Sequence, residues 1–367
     1  MNRVLLGDVV QINPSTKISK GQPVKFVSMD KLDPFTKVPN GYEKRKFSSG
    51  TKFTNEDTLL ARITPCLENG KTAFVDFLDD LEVVAGSTEF VILRNIEGLT
   101  DPAYIYYLSI SPAFRDYAIK SMVGTSGRQR VQNDVLAKME LSLPLLYQQK
   151  KIANILGSLD EKIELNRRMN ETLEQLGQAL FRHYFVDKAK QSNGNIQTIP
   201  LGKKFHPKRG RSVQARDMIC GDTPVISGGL KPAGFHNEAN TTAPVITISA
   251  SGVNSGFVSV WGEPVWSADS SYIDSTITKY AYTHYLFLKN KQKEIYDMQT
   301  GSGQPHIYPK HIELLEIADL SDCEFNDFEQ RVRPLFDMIH ENKKQIDYLS
   351  NIRDLLLPKL ISGEIEI

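Results

Sequence analysis

Asn69-Gly70-Lys71-Thr72 has the ending of a phosphate-binding loop, but a Walker-type cradle needs a second glycine at position 65, and Pro65 stands there. NGKT therefore reads as a turn between strands. Asn13-Pro14 is followed by Ser15-Thr16 and not by proline and an aromatic, so the tetrapeptide of amino-methyltransferases is absent. The seven histidines, at 183, 206, 236, 284, 306, 311 and 340, show no HExxH or other short ligand spacing, and Cys66, Cys220 and Cys323 form no CxxC pair. Ser227-Gly228-Gly229 and Gly301-Ser302-Gly303 lack the GxSxG elbow of a serine nucleophile. No catalytic or metal-ligating set emerges, and the chemistry that remains is that of binding.

Three groups of basic and amide side chains are candidates. Lys203, Lys204, Lys208, Arg209, Arg211 and Arg216 cluster with His206; Arg128, Gln129 and Arg130 end a Gly-rich loop; Lys44, Arg45 and Lys46 form a short run. Gln304 and His306 close a second Gly-rich loop. Arginine forks onto guanine and glutamine onto adenine, so flexible loops with these residues can reach phosphates and base edges. A solvated, salt-balanced surface is the alternative for any one cluster. Tyr104, Tyr106, Tyr107, Trp261 and Trp266 can stack on bases, but aromatics in such segments more often fill a core. The 44 basic and 44 acidic residues cancel, so any attraction to nucleic acid is local.

The elements that must position these loops follow from periodicity. Ile152, Ile155, Leu156, Leu159, Ile163, Met169, Leu173, Leu176 and Leu180 recur at steps of three and four, the stripe of one long amphipathic helix. At about 1.5 Å per residue, Gln148 to Val186 would reach roughly 58 Å, too long for one compact domain to cover. Val332, Leu335, Phe336, Ile339, Ile346, Leu349, Ile352, Leu356 and Leu360 repeat the spacing near the other end. Two such stripes predict an antiparallel coiled coil, with two unrelated helices capping separate domains as the alternative. Asn166 lies on the first stripe, where it either fixes register or faces solvent. Asn326, Asp327 and Glu329 are suited to capping the second helix, and Pro334 should sit in its first turns or kink it.

Before the first stripe and again between the two, the sequence is β-rich and repeats itself. VVQI, VKFVSM, TLLARI, TAFVDF and EFVILR read as strands, with a helical patch near Ala103 to Ser121. TLLARITPCLENGKTAFV is echoed by PVITISASGVNSGFVSV, VVAGS by VWSAD, YIYYL by YTHYL, and SGRQRV at 126–131 by SGQPHI at 302–307. The expected class is α+β: a β-rich domain at 1–145, a central helix at 146–187, a polar linker at 188–198, a second β-rich domain at 199–323, and a helix and tail at 324–367. The absence of a convincing leader and of any run near 18 apolar residues reads as a soluble cytoplasmic protein without a membrane partner.

PLLYQQKKIANILGSLDEKIELNRRMNETLEQLGQALFRHYFVD resembles the central conserved region of type I restriction-modification specificity subunits, and LLLPKLISGEIEI resembles their C-terminal end. The resemblance implies two target recognition domains, each reading one half of a bipartite site in double-stranded DNA, with a helix pair setting the gap. It further implies two docked modification subunits that hold S-adenosylmethionine and methylate adenine, and restriction subunits for ATP-dependent cleavage; this chain itself holds no cofactor and no metal. The expected DNA contacts are Arg128, Gln129, Arg130, Lys203, Lys204, Lys208, Arg209, Arg211, Gln304 and His306. A coiled-coil scaffold without sequence preference is the competing class, and methyl transfer by the purified chain alone would mark an enzyme.

Overall fold

The computed structural model describes residues 2–79, 82–187, 197–301 and 303–367. The chain forms two compact units, one of 1–164 with 346–367 and one of 165–345. The linker expected at 188–198 lies largely outside the described residues.

In the first unit, β1 (Asn2–Leu5) leads through a one-turn helix, α1 (Leu6–Val9), into β2 (Val10–Ile12), β3 (Pro23–Val27), β4 (Glu43–Lys46), β5 (Thr51–Phe53), β6 (Thr58–Ala61), β7 (Thr72–Phe74), β8 (Val84–Gly86) and β9 (Phe90–Asn95). Helices α2 (Pro102–Ile110), α3 (Pro112–Lys120) and α4 (Asn133–Ala137), strand β10 (Glu140–Leu143) and the long α5 (Leu146–Phe181) follow. One sheet has the order β2-β9-β6-β7, another β4-β3-β8-β5, and β1 pairs with β10. β6 and β9 read as unbroken apolar runs because both faces are covered. Leu60, Val91 and Leu93 enter one core with α2, whereas Leu59, Phe90 and Ile92 enter another with Phe53 and Val84. The expected helical patch is two helices, since Pro112 restarts the chain after Ser111. Tyr104, Tyr106 and Tyr107 are fully buried on α2, which makes them core and not base-stacking residues.

The second unit repeats this order. β11 (Thr198–Pro200), β12 (Lys208–Arg209), β13 (Thr223–Ile226), β14 (Gly234–His236), β15 (Val245–Ser249), β16 (Val258–Trp261), β17 (Trp266–Ser267) and β18 (Ser270–Ile273) precede α6 (Ala281–Asn290), α7 (Gln292–Asp297), α8 (Pro309–Glu313), β19 (Glu316–Ala318) and α9 (Asp322–Ser362). Its sheets run β12-β18-β15-β16 and β14-β13-β17, and β11 pairs with β19. In both units the second sheet contains one parallel pairing, β3 with β8 and β13 with β17. A parallel pair at the same place in two mostly antiparallel sheets carries the repeat beyond the echoes in sequence. Trp266 is buried and donates from Nε1 to the Arg211 carbonyl, which makes it a core residue, and Trp261 is half-buried and donates to Thr247 Oγ1.

The long helices run antiparallel. In the second unit, Asn166 Nδ2 donates to Gln345 Oε1 at 3.2 Å and Asn342 Nδ2 to Asn170 Oδ1 at 2.9 Å. In the first unit, Arg353 Nη1 reaches Asp160 Oδ1 at 2.7 Å, and Tyr107 of α2 donates to Asp160 Oδ2 at 2.8 Å. Of the predicted stripe, Ile152, Leu156, Ile163, Val332, Phe336 and Ile339 are buried; Leu159, Met169, Leu173, Leu180, Ile346, Leu349, Ile352 and Leu356 are half-buried. Ile155 and Leu176 are the exceptions, 38% and 46% exposed. Gly177 takes the inward place, where a β-carbon would meet the Phe336 ring at 3.6 Å. A 3.6-residue period drifts from a strict three-four alternation over so many turns, and the drift carries Leu176 outward. Asn166 is fully buried on this seam.

Helix α9 begins earlier than its sequence suggests. Ser321 and Glu324 form the capping box, with Glu324 N donating to Ser321 Oγ at 3.3 Å and Ser321 N donating to Glu324 Oε2 at 3.0 Å. Asn326, Asp327 and Glu329 thus lie inside the helix, and Pro334 sits well beyond its first turn, with the helix continuing past it. Glu329 caps a different helix. It accepts from Thr283 N at 2.9 Å and Tyr282 N at 3.4 Å at the start of α6. Gln149 of α5 has the matching task in the first unit, accepting from Asp101 N at 2.9 Å beside α2 and donating to the Leu99 and Pro144 carbonyls.

Candidate nucleic-acid interface

The loops converge where the strands of the β2-β9-β6-β7 sheet end in the first unit and those of the β12-β18-β15-β16 sheet in the second, and the backbone there is built twice to one plan. In the first unit, Arg130 bridges both Val123 and Ile63; in the second, His306 bridges Thr300 and Ser251. Val131 N donates to the Arg62 carbonyl and Ile307 N to the Ala250 carbonyl, both at 2.9 Å. Arg62 N in turn donates to Glu89 O at 2.9 Å, and Ala250 N to Asp269 O at 3.1 Å. A glycine follows the first bridging residue in each loop, Gly124 at φ 140° and Gly301 at φ 102°. A side chain there would be strained, and its β-carbon would meet Arg128 O at 2.9 Å or Gln304 O at 2.6 Å.

The side chains carried by this frame differ. Glu89 takes Arg130 in a fork, at 2.9 Å from Nε to Oε2 and 2.7 Å from Nη2 to Oε1. The Arg130 guanidinium holds the Glu89 carboxyl below the usual carboxylate range, and the acid raises Arg130 in return. Asp269, at the matching place, accepts from Arg209 Nη2 at 2.7 Å and from Ser251 Oγ. His306 stacks on Tyr308 with ring centroids 6.0 Å apart.

Arg128, Lys208, Arg211 and Gln304 are exposed, and Gln129 is half-buried with its carbonyl accepting from Thr64 N at 3.0 Å. Among the described residues, Arg128, Lys208 and Arg211 have no carboxylate partner. The six-residue basic cluster is split. Lys204 binds Asp319 at 2.9 Å and lies over Phe325, and His206 faces Glu313 at 3.0 Å, so these belong with β19, α8 and the start of α9. Exposed Lys203 is on the same turn, and only Lys208, Arg209 and Arg211 lie with the loops. Lys204 is thus ion-paired with Asp319 at that place, apart from the loops. Lys44, Arg45 and Lys46 lie on edge strand β4, with Arg45 over the Phe26 ring at 3.2 Å. Sequence reasoning passed over Glu89 and Asp269, although both adjoin the VVAGS and VWSAD echo.

Among the described residues no group of three or more His, Cys, Asp or Glu converges in a way that could hold a metal ion. None of the described helices is long and apolar enough to cross a membrane.

Residues 1–175 match the family model described as "Type I restriction modification DNA specificity domain". That stretch, just under half of the chain, is similar to the DNA specificity domain of type I restriction-modification systems. It is 26% identical over 402 aligned residues to the HindI specificity subunit of Haemophilus influenzae, covering 84% of this chain and 86% of that one. With the MjaIX specificity subunit of Methanocaldococcus jannaschii it shares 25% identity over 72% of this chain and 69% of the relative. In fold it is similar to the crystal structure of the type I system S subunit from M. genitalium, with a TM-score of 0.56 at 20% identity and coverage of 98% and 96%.

Proposed function

We propose that this chain is a type I specificity subunit that recognises a bipartite sequence in double-stranded DNA, each unit reading one half-site. The paired helices set the spacer and dock two modification subunits, which hold S-adenosylmethionine and methylate adenine; restriction subunits complete the cleaving assembly, in the cytoplasm. One observation carries this reading: a loop frame built twice on the same backbone hydrogen bonds but furnished with different side chains, Arg130 on Glu89 in one copy and Arg209 with Ser251 on Asp269 in the other. Duplicated backbone with unlike polar side chains suits a reader of two different half-sites. Arg128, Lys208 and Arg211 supply positive charge for phosphates, so binding should weaken steeply with salt. Co-expression with the modification subunits followed by single-molecule methylation mapping tests the proposal. A two-part motif with a fixed gap is the expected result, and methylation without sequence preference would overturn it.

A further inference from the structure

The two carboxylates at the centre of the loop frames are not accounted for by general attraction to DNA, since each places negative charge among side chains that would meet a polyanion. Both sit at the matching position, Glu89 directly before β9 and Asp269 directly before β18, and each binds one arginine. The arginines come from different places, Arg130 from the loop between α3 and α4 and Arg209 from the first strand of its sheet. What repeats is the acid and its arginine partner. The pairs are alike in exposure, 41% and 26% for Arg130 and Glu89, 42% and 30% for Arg209 and Asp269, so each faces solvent and adds little to folding.

We infer that Glu89 and Asp269 are positioning residues that hold Arg130 and Arg209 as base-reading forks, one in each half-site, each donating to the O6 and N7 acceptors of a guanine. The inference rests on the DNA-recognition reading above and assigns the work within it. Glu89 occupies the Nε–Nη2 edge of Arg130, and among the described residues that guanidinium makes one further bond, a long one of 3.4 Å from Nη1 to the Arg128 carbonyl. Donors remain on the Nη1–Nη2 end, the pair that forks onto guanine. On Arg209 only Nη2 is engaged. A carboxylate in the pair also repels phosphate, which steers the guanidinium to the uncharged base edge, and holding the fork in advance spares its rotamer entropy on binding. Arg128, Lys208 and Arg211, exposed and without a carboxylate, are left for the backbone.

The test uses the complete complex with its modification subunits and a selection of bound duplexes from a randomised library at two salt concentrations. R130K and E89Q should relax one guanine position in one half-site by on the order of 10- to 100-fold, leaving the other half unchanged. R209K and D269N should do the same in the other half only. R128A and K208A should weaken all sequences alike and lower the salt slope. E89Q and D269N are isosteric and the lysine variants keep the charge, so folding, checked by thermal melts, is preserved. Uniform weakening by R130K and E89Q, or unchanged base preference, overturns the inference while wild-type specificity stands. A wild-type complex without sequence preference overturns the underlying reading, and this inference with it.

Discussion

Replacing Arg353 by alanine should be among the most damaging single substitutions in the first unit. Arg353 of α9 and Asp160 of α5 are 5% and 4% exposed and 2.7 Å apart, and Tyr107 donates to the second carboxylate oxygen. Burial alone would lower the Arg353 pKa, but Asp160 and Asp354 outweigh that and raise it, so the guanidinium stays charged in the folded unit. Removing the cation leaves a buried carboxylate with only a tyrosine hydroxyl for company, which costs about 3–5 kcal/mol. Removing the whole triad is a different matter. Asp160→Leu with Arg353→Met and Tyr107→Phe leaves no buried ion, giving up only the long Arg353 bond to the Phe35 carbonyl and the pair with exposed Asp354, and should be neutral or stabilising by about 1–4 kcal/mol. Urea titrations followed by circular dichroism, with Lys359→Ala as an exposed control, read the difference. A loss under about 1 kcal/mol for Arg353→Ala, or equal losses for the single and triple variants, would refute the reasoning.

Three further outcomes are expected. Glu329→Ala should cost about 2 kcal/mol by stranding the first amides of α6, while Glu329→Gln, which restores the amide that Gln149 presents in the other unit, should cost less than half as much; denaturant midpoints decide. His284, fully buried among aromatic rings with Nδ1 3.1 Å from Thr278 Oγ1, has its pKa lowered by burial to about 3 from an unfolded value of 6.5. The unfolded chain therefore binds a proton that the folded one refuses. Stability is unaffected above pH 6.5 and falls by about 1.4 kcal/mol per unit between 6.5 and 3, a slope that His284→Phe should remove. Finally, one extra turn of four residues near Asn166, matched by one near Ile346, lengthens the helix pair by about 6 Å, roughly two base pairs. Methylation mapping should show a spacer wider by that amount with both half-sites intact, and an unchanged spacer counts against the helices as a gauge.

The parts legible in the sequence were those governed by periodicity. Strands β2, β3, β6, β7 and β9 announce themselves because Leu59, Leu60, Val91 and Ile92 must be covered on both faces, and the long helices because their stripes persist for many turns. β4 was invisible as a strand since Glu-Lys-Arg-Lys is exposed throughout and holds its place by pairing with β3 alone. Leu176 misled because a count of threes and fours cannot follow helical drift, and Gly177 has no side chain to signal an inward place. Glu329 looked like a cap for its own helix when its partners lie more than forty residues earlier. The loop residues were nameable by type, but which arginine meets which acid depends on folding that brings residues 89 and 130, or 209 and 269, together across the unit.

The amide pairs along the second unit's seam bear on how a spacing can be kept constant. Two smooth greasy stripes would tolerate sliding past one another by a heptad at modest cost. Asn166 with Gln345 and Asn170 with Asn342 turn that slide into a penalty, since any misalignment buries polar ends against hydrocarbon. Distance in such a device changes in whole steps, through added or deleted turns, and thermal creep between one step and the next is suppressed.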